Sequence, residues 1–389
     1  MKRNYKYASE FLLLLILSPV LALAQNTFCD TIPFQYINGK MVVSVQINND
    51  NKRFIFDTGA PLLISDGLQQ EMKNKVTGTA SVKDVAGNIV EEQTILVPSF
   101  KLGNIPFRNS KATVYQKQKT GLLKCFNFEG IIGSSILEGC IVHIDLSKKW
   151  IVITNRIENI PLTDSFQTRM KLDGSKRPFI NIDIGQGATI SALFDSGSDK
   201  FFPLSMDGYQ EIKKTLAVST LNEGFGSVSS GLYGAGQAAK VYRVLINQLN
   251  FGKASIKSVI TTASELKNKN AIGMGLAAYG SITLDYIHKT FYFSPTSTNQ
   301  TFSNANFWGF TPLLLNGQYV AGIVYEDSPA EKSGMKTGNK LLKINQYEVA
   351  DSSSQNLCEL FLSDTFTLPE ITVTFLNTIG EVKTITLRN

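Results

Sequence analysis

The sequence has only two histidines and four cysteines among its 389 residues, and this scarcity argues against several kinds of site. The cysteines show no C-x-x-C spacing, so neither a zinc site nor a redox dithiol is expected. We therefore predict no metal and no cofactor. The histidines, His143 and His288, fall at nearly equivalent points of an internal repeat, so we interpret both as structural rather than catalytic.

The four cysteines leave two possibilities open. A disulfide between Cys125 and Cys140 is preferred, because these two are close in sequence and an oxidising compartment favours disulfides. The alternative is that all four, including Cys29 and Cys358, are small buried or free thiols.

Charge is also limited, with 18% charged residues and a formal net charge of +6. The lysines are scattered, and no basic run is interleaved with aromatic residues, so nucleic acid is not an expected partner. The hydrophobic share of 43% is that of an ordinary globular protein. A chain of this length accommodates two or three domains with sizeable cores.

A long apolar run occurs near the N-terminus. Three basic residues precede the run from Phe11 to Ala24, which ends in Ala22-Leu23-Ala24, so residues 1–24 are predicted to be a signal peptide. The run has fourteen residues, fewer than the ~20 that span a bilayer, and cleavage is therefore favoured over an uncleaved anchor. We expect an exported, periplasmic or secreted protein with no integral membrane segment after removal of the signal.

Short strands separated by Gly, Asn and Ser turns dominate the mature chain. Helix is scarce: it is expected at Leu62–Met72, in a turn at Ser134–Leu137 and in a short helix capped by Ser328-Pro329-Ala330. One strand ends in Phe56-Asp57-Thr58-Gly59-Ala60, and a second ends in Phe194-Asp195-Ser196-Gly197-Ser198, with the two aspartates 138 residues apart. Apolar-apolar-Gly elements follow in both copies, with Gly133 and Gly273 140 residues apart. A period near 140 indicates a duplicated domain, because solenoid repeats are about 20 to 50 residues long.

Each copy has room for a projecting hairpin downstream of its aspartate. The first is expected at Ala80–Gln93 with Gly87 at its tip, and the second at the glycine-rich Gly224–Gln237, which contains Tyr233. Over a cleft, such hairpins would be mobile lids that contact a substrate. The alternative for the second is a loose loop.

The duplicated aspartate permits a specific chemistry. Hydrolysing an amide without a metal or a covalent nucleophile requires a base that deprotonates water and an acid that protonates the carbonyl oxygen. Two carboxylates within about 3 Å of each other cannot both ionise, so the pair shares one proton and offers both forms. Gly59 and Gly197 would let the loops approach, and the hydroxyls of Thr58 and Ser196 could hydrogen-bond across to fix them.

These motifs, D-T-G-A and D-S-G-S with I-I-G and A-I-G downstream, resemble the aspartic proteases, particularly the retropepsin-like lineage, over about residues 30–297. The resemblance implies a mostly β fold with two tandem retropepsin-like β-barrel domains, residues 25–157 and 158–297, related by a pseudo-twofold axis. It also implies an aspartic endopeptidase that cleaves peptide or protein substrates with water activated between Asp57 and Asp195. Ala271, where a larger apolar residue is usual, and the glycine-rich second hairpin depart from the pattern.

Two alternatives to a single-chain peptidase remain. One is a non-catalytic peptide-binding scaffold derived from an aspartic protease. The other is a cleft formed by dimerisation of two chains.

Residues 298–389, after a polar linker at Ser294–Ala305, are expected to form a separate small α+β domain. Ser328-Pro329-Ala330 and the segment from Gly338 to Asn345 resemble a PDZ domain of the type attached to bacterial envelope proteases. The resemblance implies that a peptide carboxyl terminus adds to the sheet edge, with its carboxylate near Gly309 and Phe310, for recruitment or regulation. Alternatively, this domain packs against the rest of the chain as a structural cover.

Overall fold

The computed structural model describes residues 27–162, 164–228, 230–266, 269–303, 306–351 and 355–388. Strands in several sheets account for most of the regular structure, and the expected mostly β fold is confirmed. The predicted signal peptide lies outside the described residues. Within them, none of the helices has the length and apolar character that crossing a membrane requires.

The first half of the chain is built from short strands with one helix, α1 (Asp66–Met72), and 3₁₀ turns at Lys117–Lys119, Gly121–Phe126, Ser134–Ile136 and Ile157–Asn159. Its strands are β1 (Cys29–Pro33), β2 (Gln35–Ile37), β3 (Lys40–Ile47), β4 (Asp50–Asp57), β5 (Leu63–Ser65), β6 (Val76–Lys83), β7 (Ile89–Leu102), β8 (Ile105–Tyr115), β9 (Gly130–Gly133), β10 (Ile141–Asp145) and β11 (Trp150–Thr154).

The second half has helix α2 (Met206–Ile212) and a 3₁₀ turn at Met274–Ala278. Its strands are β12 (Phe166–Arg169), β13 (Lys171–Leu172), β14 (Pro178–Asp183), β15 (Thr189–Asp195), β16 (Leu204–Ser205), β17 (Val218–Gly226), β18 (Ser230–Gly231), β19 (Gly234–Ala235), β20 (Ala239–Phe251), β21 (Ala254–Ser264), β22 (Ala271–Gly273), β23 (Gly280–Asp285), β24 (Thr290–Pro295) and β25 (Asn299–Thr301). Strand β25 lies inside the predicted linker and pairs with β21.

The remaining residues, 306–388, are called the C-terminal unit here. Helices α3 (Pro329–Lys332) and α4 (Gln355–Leu362) and a 3₁₀ turn at Thr365–Thr367 accompany one sheet. Its strands are β26 (Phe310–Leu315), β27 (Gln318–Val324), β28 (Lys340–Ile344), β29 (Tyr347–Glu348), β30 (Glu370–Leu376) and β31 (Val382–Arg388).

One sequence-based helix boundary was wrong. The helix expected from Leu62 begins only at Asp66, because Leu63 and Ile64 are buried in strand β5, between β8 and β9. Ser65 then caps the helix, since its Oγ accepts a hydrogen bond from the N–H of Leu68 at 3.1 Å. The turn expected at Ser134–Leu137 is present as a 3₁₀ turn.

A six-stranded sheet joins the two halves in the order β1-β11-β10-β23-β24-β12. At its centre, β10 pairs antiparallel with β23, and His143 lies opposite Thr283. The His143 Nδ1 and the Thr283 Oγ1 are 2.8 Å apart. His288 lies outside this pairing and contacts Asp285 in a turn at 2.7 Å, so the two histidines have different structural surroundings.

A disulfide between Cys125 and Cys358 links the 3₁₀ turn of the first half to helix α4. The preferred Cys125–Cys140 pairing was wrong, because residues close in sequence need not be close in the fold. Cys140 is a free thiol in the core, where burial raises its pKa to about 12, and Cys29 is free and exposed.

Apolar packing reinforces this link. Leu122 is buried in the same core cluster as Trp308 and Phe310 of the C-terminal unit. The rings of Phe126 and Phe361 meet edge to face, with centroids 5.6 Å apart. The C-terminal unit is thus held against the first half covalently and by side-chain packing.

Replacing both Cys125 and Cys358 with serine is expected to lower stability. The bridge joins residues 233 positions apart, and removal of a native disulfide typically costs about 2–5 kcal/mol. Thermal unfolding of the double variant, beside Cys29→Ser as a thiol that forms no disulfide, measures the effect. An unchanged melting temperature in the double variant would show that the packing alone holds the unit.

Candidate active site

Two parallel strand pairs place Asp57 and Asp195. Asp57 is the last residue of β4 and lies opposite Gly133 of β9, and Asp195 is the last residue of β15 and lies opposite Gly273 of β22. The preceding residues, Phe56 and Phe194, are fully buried and anchor the ends of the strands in the core. Both carboxylates are therefore presented at strand ends from corresponding positions in the two halves.

Crossed hydrogen bonds connect the two aspartate loops. The Thr58 N–H donates to Ser196 Oγ at 2.9 Å, and the Ser196 N–H donates to Thr58 Oγ1 at 3.0 Å. Each hydroxyl in turn donates across to a carbonyl, from Thr58 to Phe194 at 2.8 Å and from Ser196 to Phe56 at 3.2 Å. Both side chains are fully buried, so these bonds fix the relative position of the loops without competition from water.

Gly59 and Gly197 allow the loops to approach closely. A methyl group on Gly59 would lie 2.6 Å from Asp195 Oδ1, and one on Gly197 would lie 2.2 Å from Asp57 Oδ2. The N–H groups of these glycines donate to the aspartate two residues earlier, at 2.8 Å for Asp57 and 3.0 Å for Asp195. Any larger residue at either glycine would push the carboxylates apart.

The neighbouring Asp195 perturbs the pKa of Asp57. Burial, and then the charge of Asp195, raise the pKa of Asp57 to about 8, and a hydrogen bond to Asp195 contributes in the same direction. The charge of Lys40 and the Gly59 N–H oppose the rise. Asp57 therefore retains a proton at neutral pH, as a pair of neighbouring carboxylates that shares one proton requires.

Lys40 is a charged neighbour of the pair that sequence reasoning missed. It begins β3 in the first half, and its Nζ donates to the carbonyl of Gly197 in the second half. Burial raises the pKa of nearby Asp199, but the charges of Lys200 and Lys40 outweigh it and lower that pKa to about 2. No local pattern could have revealed Lys40, because its contact crosses between residues 157 positions apart.

A second feature that the sequence analysis missed is a pair of hydroxyl groups that supports the loop of Asp57. Ser134 Oγ donates to the carbonyl of Thr58 at 2.6 Å and lies 2.9 Å from the hydroxyl of Tyr286. Tyr286 belongs to the second half and is buried, which raises its pKa. The loop of Asp57 is thus braced by residues from both halves.

The predicted lids are both hairpins. Lid 1, residues 76–95, is formed by β6 and the start of β7, and Gly87 lies at its tip with a φ of 91°. Lid 2, residues 218–246, is formed by β17 and β20 and carries the small hairpin of β18 and β19, where Tyr233 lies in the turn.

The lids touch each other around Tyr233. Its N–H donates to Asp84 Oδ2 of lid 1 at 3.0 Å. Its buried hydroxyl faces Glu92 of lid 1 without a hydrogen bond of ordinary geometry, and burial and the Glu92 charge raise the pKa of Tyr233. Leu232 and Ala60 pack against the same buried cluster, which brings lid 2 near the loop of Asp57.

The predicted carboxylate loop of the C-terminal unit is closely packed. The Gly309 carbonyl accepts hydrogen bonds from the N–H of Tyr325 at 2.9 Å and from Ser328 Oγ at 3.2 Å. Phe310 begins β26 with its side chain in the core of the unit. The structure does not bring this loop together with the aspartate pair.

Comparison with known protein families gives a match within the first half of the chain. Residues 43–136 match the family model described as aspartyl protease. The matched segment contains Asp57, Thr58, Gly59 and the whole of lid 1. No curated protein sequence matches the chain significantly. The aspartyl protease match supports a protease-like function for the region that carries the first aspartate loop.

Asp57→Asn is expected to stabilise the protein near neutral pH. The folded pKa of Asp57, about 8, lies above its unfolded value, so the folded state binds the extra proton and stability falls as pH rises between about 4 and 8. The asparagine side chain does not ionise, so the variant does not lose stability in this way as pH rises. Thermal unfolding at pH 7.5 should give a melting temperature about 2–4 °C higher than wild type, equivalent to roughly 1 kcal/mol. The difference should vanish near pH 4; a lower melting temperature at both pH values would contradict the assignment.

Lys40→Met is expected to raise the pKa of Asp57 further, because the cation that lowers it is lost. The decline of melting temperature with pH should then continue above pH 8. Arg177→Met is the matched control, since Arg177 immediately precedes β14 as Lys40 begins β3, but its Nε binds Asp173 at 2.8 Å. Equal slopes from pH 7 to 9 in both variants would show that Lys40 does not act on the pair.

Proposed function

We propose that the protein is an exported aspartic endopeptidase in which Asp57 and Asp195 share the roles of base and acid. The observation that carries the proposal is the mutual contact of the two carboxyl groups between loops joined by crossed hydrogen bonds. Two carboxyl groups buried side by side oppose folding, because they cannot both ionise freely, and a chain that only bound peptides would need no such pair. The aspartyl protease match over residues 43–136 supports the same reaction class.

The proposed reaction uses one water molecule between the carboxyl groups. The ionised aspartate accepts a proton from the water as its oxygen attacks the peptide carbonyl, and the protonated aspartate donates its proton to the carbonyl oxygen. Collapse of the resulting diol breaks the C–N bond while a carboxyl group returns a proton to the leaving amine. Both aspartates come from one chain, so the proposal requires no second copy.

The substrate is proposed to be an extended peptide or protein segment that lies under the two lids, contacting Gly87 and Tyr233. For the C-terminal unit we favour support of the lids over peptide recruitment. The segment that packs into its core, with Leu122, belongs to the chain itself. A peptide carboxyl terminus at Gly309 and Phe310 stays a prediction.

Asp57→Asn and Asp195→Asn should each lower the rate of peptide hydrolysis by about 10² to 10⁴-fold, because each removes one partner of the acid–base pair. Incubating the mature protein with a diverse peptide mixture from pH 4 to 8, followed by mass spectrometry, measures cleavage. Asp50→Asn, an exposed carboxylate at the start of β4, is the control and should retain activity.

Two results would oppose this function. Full activity in either single Asn variant would refute a shared pair. A peptide that co-purifies with the wild-type protein and stays intact across the pH series would instead favour a non-catalytic scaffold.

A further inference from the structure

One carboxylate joins the tips of the two lids. Asp84 lies at the tip of lid 1, where its Oδ1 accepts hydrogen bonds from the N–H groups of Ala86 and Asn88, both at 2.9 Å. Its Oδ2 accepts the N–H of Tyr233 in lid 2 at 3.0 Å. Asn88 adds a bond from its Nδ2 to the Gly234 carbonyl at 3.3 Å. Asp84 Oδ2 also accepts a hydrogen bond from the Asn88 Nδ2 of its own turn at 3.1 Å, so Asp84 orders its turn with both oxygens and binds the opposite lid through Oδ2.

The fit around Asp84 is close. A methyl group on Gly231 of lid 2 would lie 2.1 Å from Asp84 Oδ2, and one on Gly236 would lie 2.7 Å from the Ala86 carbonyl. Ala86 is only 2% exposed, although it lies at the tip of a hairpin. The tip of lid 1 is therefore seated in lid 2 rather than resting loosely beside it.

Lid 2 is held from its other side by the C-terminal unit. The Ser227 N–H donates to the Gly322 carbonyl at 2.8 Å, and the Glu326 N–H donates to the Glu223 carbonyl at 2.8 Å. Asn222 Nδ2 donates to the Glu326 carbonyl at 3.1 Å. A methyl group on Gly226 would lie 2.3 Å from the Gly322 carbonyl, so β17 and β27 are in direct backbone contact.

The two lids differ in what supports them. Strand β6 of lid 1 is the outermost strand of its sheet, pairs with β7, and is mostly exposed. Strand β17 of lid 2 has Gly224, Gly226 and the adjacent Ser227 buried against the C-terminal unit. Segments with exposed backbone and few buried contacts open at low free-energy cost, whereas buried ones do not.

We propose that Asp84 is a latch, and that access to the cleft opens by release of lid 1 alone while the C-terminal unit keeps lid 2 fixed. The proposal deepens the proposed function, on which its relevance to a peptide substrate rests. The proposal also assigns the C-terminal unit the role of fixing the position of lid 2. The unit's covalent link through Cys125 and Cys358 keeps it in place to do so.

Gly231→Ala tests the latch from the side of lid 2, leaving the turn of lid 1 chemically unchanged. The new methyl group should displace Asp84 Oδ2, and loss of a hydrogen bond to a charged group corresponds to about tenfold or more in local opening. Hydrogen exchange followed by mass spectrometry should then show about tenfold faster exchange in residues 76–95. Exchange at the Ser227 and Glu326 amides should stay within about twofold of the parent.

The matched control is Gly78→Ala in lid 1 itself. A methyl group there would lie 3.4 Å from Thr94 Oγ1, which also belongs to lid 1, and would meet no atom of lid 2. Its exchange should equal that of the parent. Asp84→Asn provides a second latch variant should Gly231→Ala fold poorly, because an amide cannot accept at both oxygen positions. Lid 1 exchange within twofold of the parent in both variants would overturn the latch.

Gly226→Ala tests the fixed lid. Its methyl group should separate β17 from β27 and raise exchange at the Ser227 and Glu326 amides about tenfold. Unchanged exchange there, or equal acceleration of both lids in Gly231→Ala, would overturn the assignment of lid 2 as the fixed lid. All measurements are made on the full chain carrying Asp195→Asn without substrate, so failure of the latch and failure of the proposed hydrolysis are separate results.

Discussion

The crossed hydrogen bonds between Thr58 and Ser196 are the constraint on which the candidate site depends. The charge of Asp195 raises the pKa of the buried Asp57, so the two carboxyl groups would separate if their loops were free to move. The buried hydroxyls hold the loops together, and Gly59 and Gly197 leave no side chain between them. The central sheet extends this link, because β10 and β23 join the two halves by antiparallel pairing, in which His143 lies opposite Thr283.

The residues that surround the two aspartate loops differ from one loop to the other. Lys40 reaches the second aspartate loop from the first half, and Tyr286 braces the first loop from the second half. The C-terminal unit contacts lid 2 through β27 and is bonded to the first half through Cys358. The two carboxyl groups therefore have unequal environments, which suits a pair that shares one proton.

Sequence reasoning succeeded where the signal was local. The short helix at Ser328-Pro329-Ala330 and the turn at the tip of lid 1 follow from neighbouring residues, and the structure has them. The two aspartate motifs were found because they repeat. The wrong predictions concerned contacts between residues far apart in the sequence. The partner of Cys125 lies in α4, a helix that the sequence did not predict. Leu63 and Ile64 suit a helix or a buried strand equally well until their sheet neighbours are known. Lys40 and Asp84 act on residues in the other half, which no window of sequence contains.

The most direct test of the account is the titration of Asp57 by carbon-13 NMR in the wild type and in Asp195→Asn, with the side-chain carboxyl carbons of aspartate labelled. In the wild type, Asp57 should titrate near pH 8, because burial and the charge of Asp195 both favour its protonated form. In Asp195→Asn the neighbouring charge is absent, and the pKa of Asp57 should fall. An Asp57 pKa that is the same in both proteins would mean that the two carboxyl groups do not share a proton, and would contradict the account.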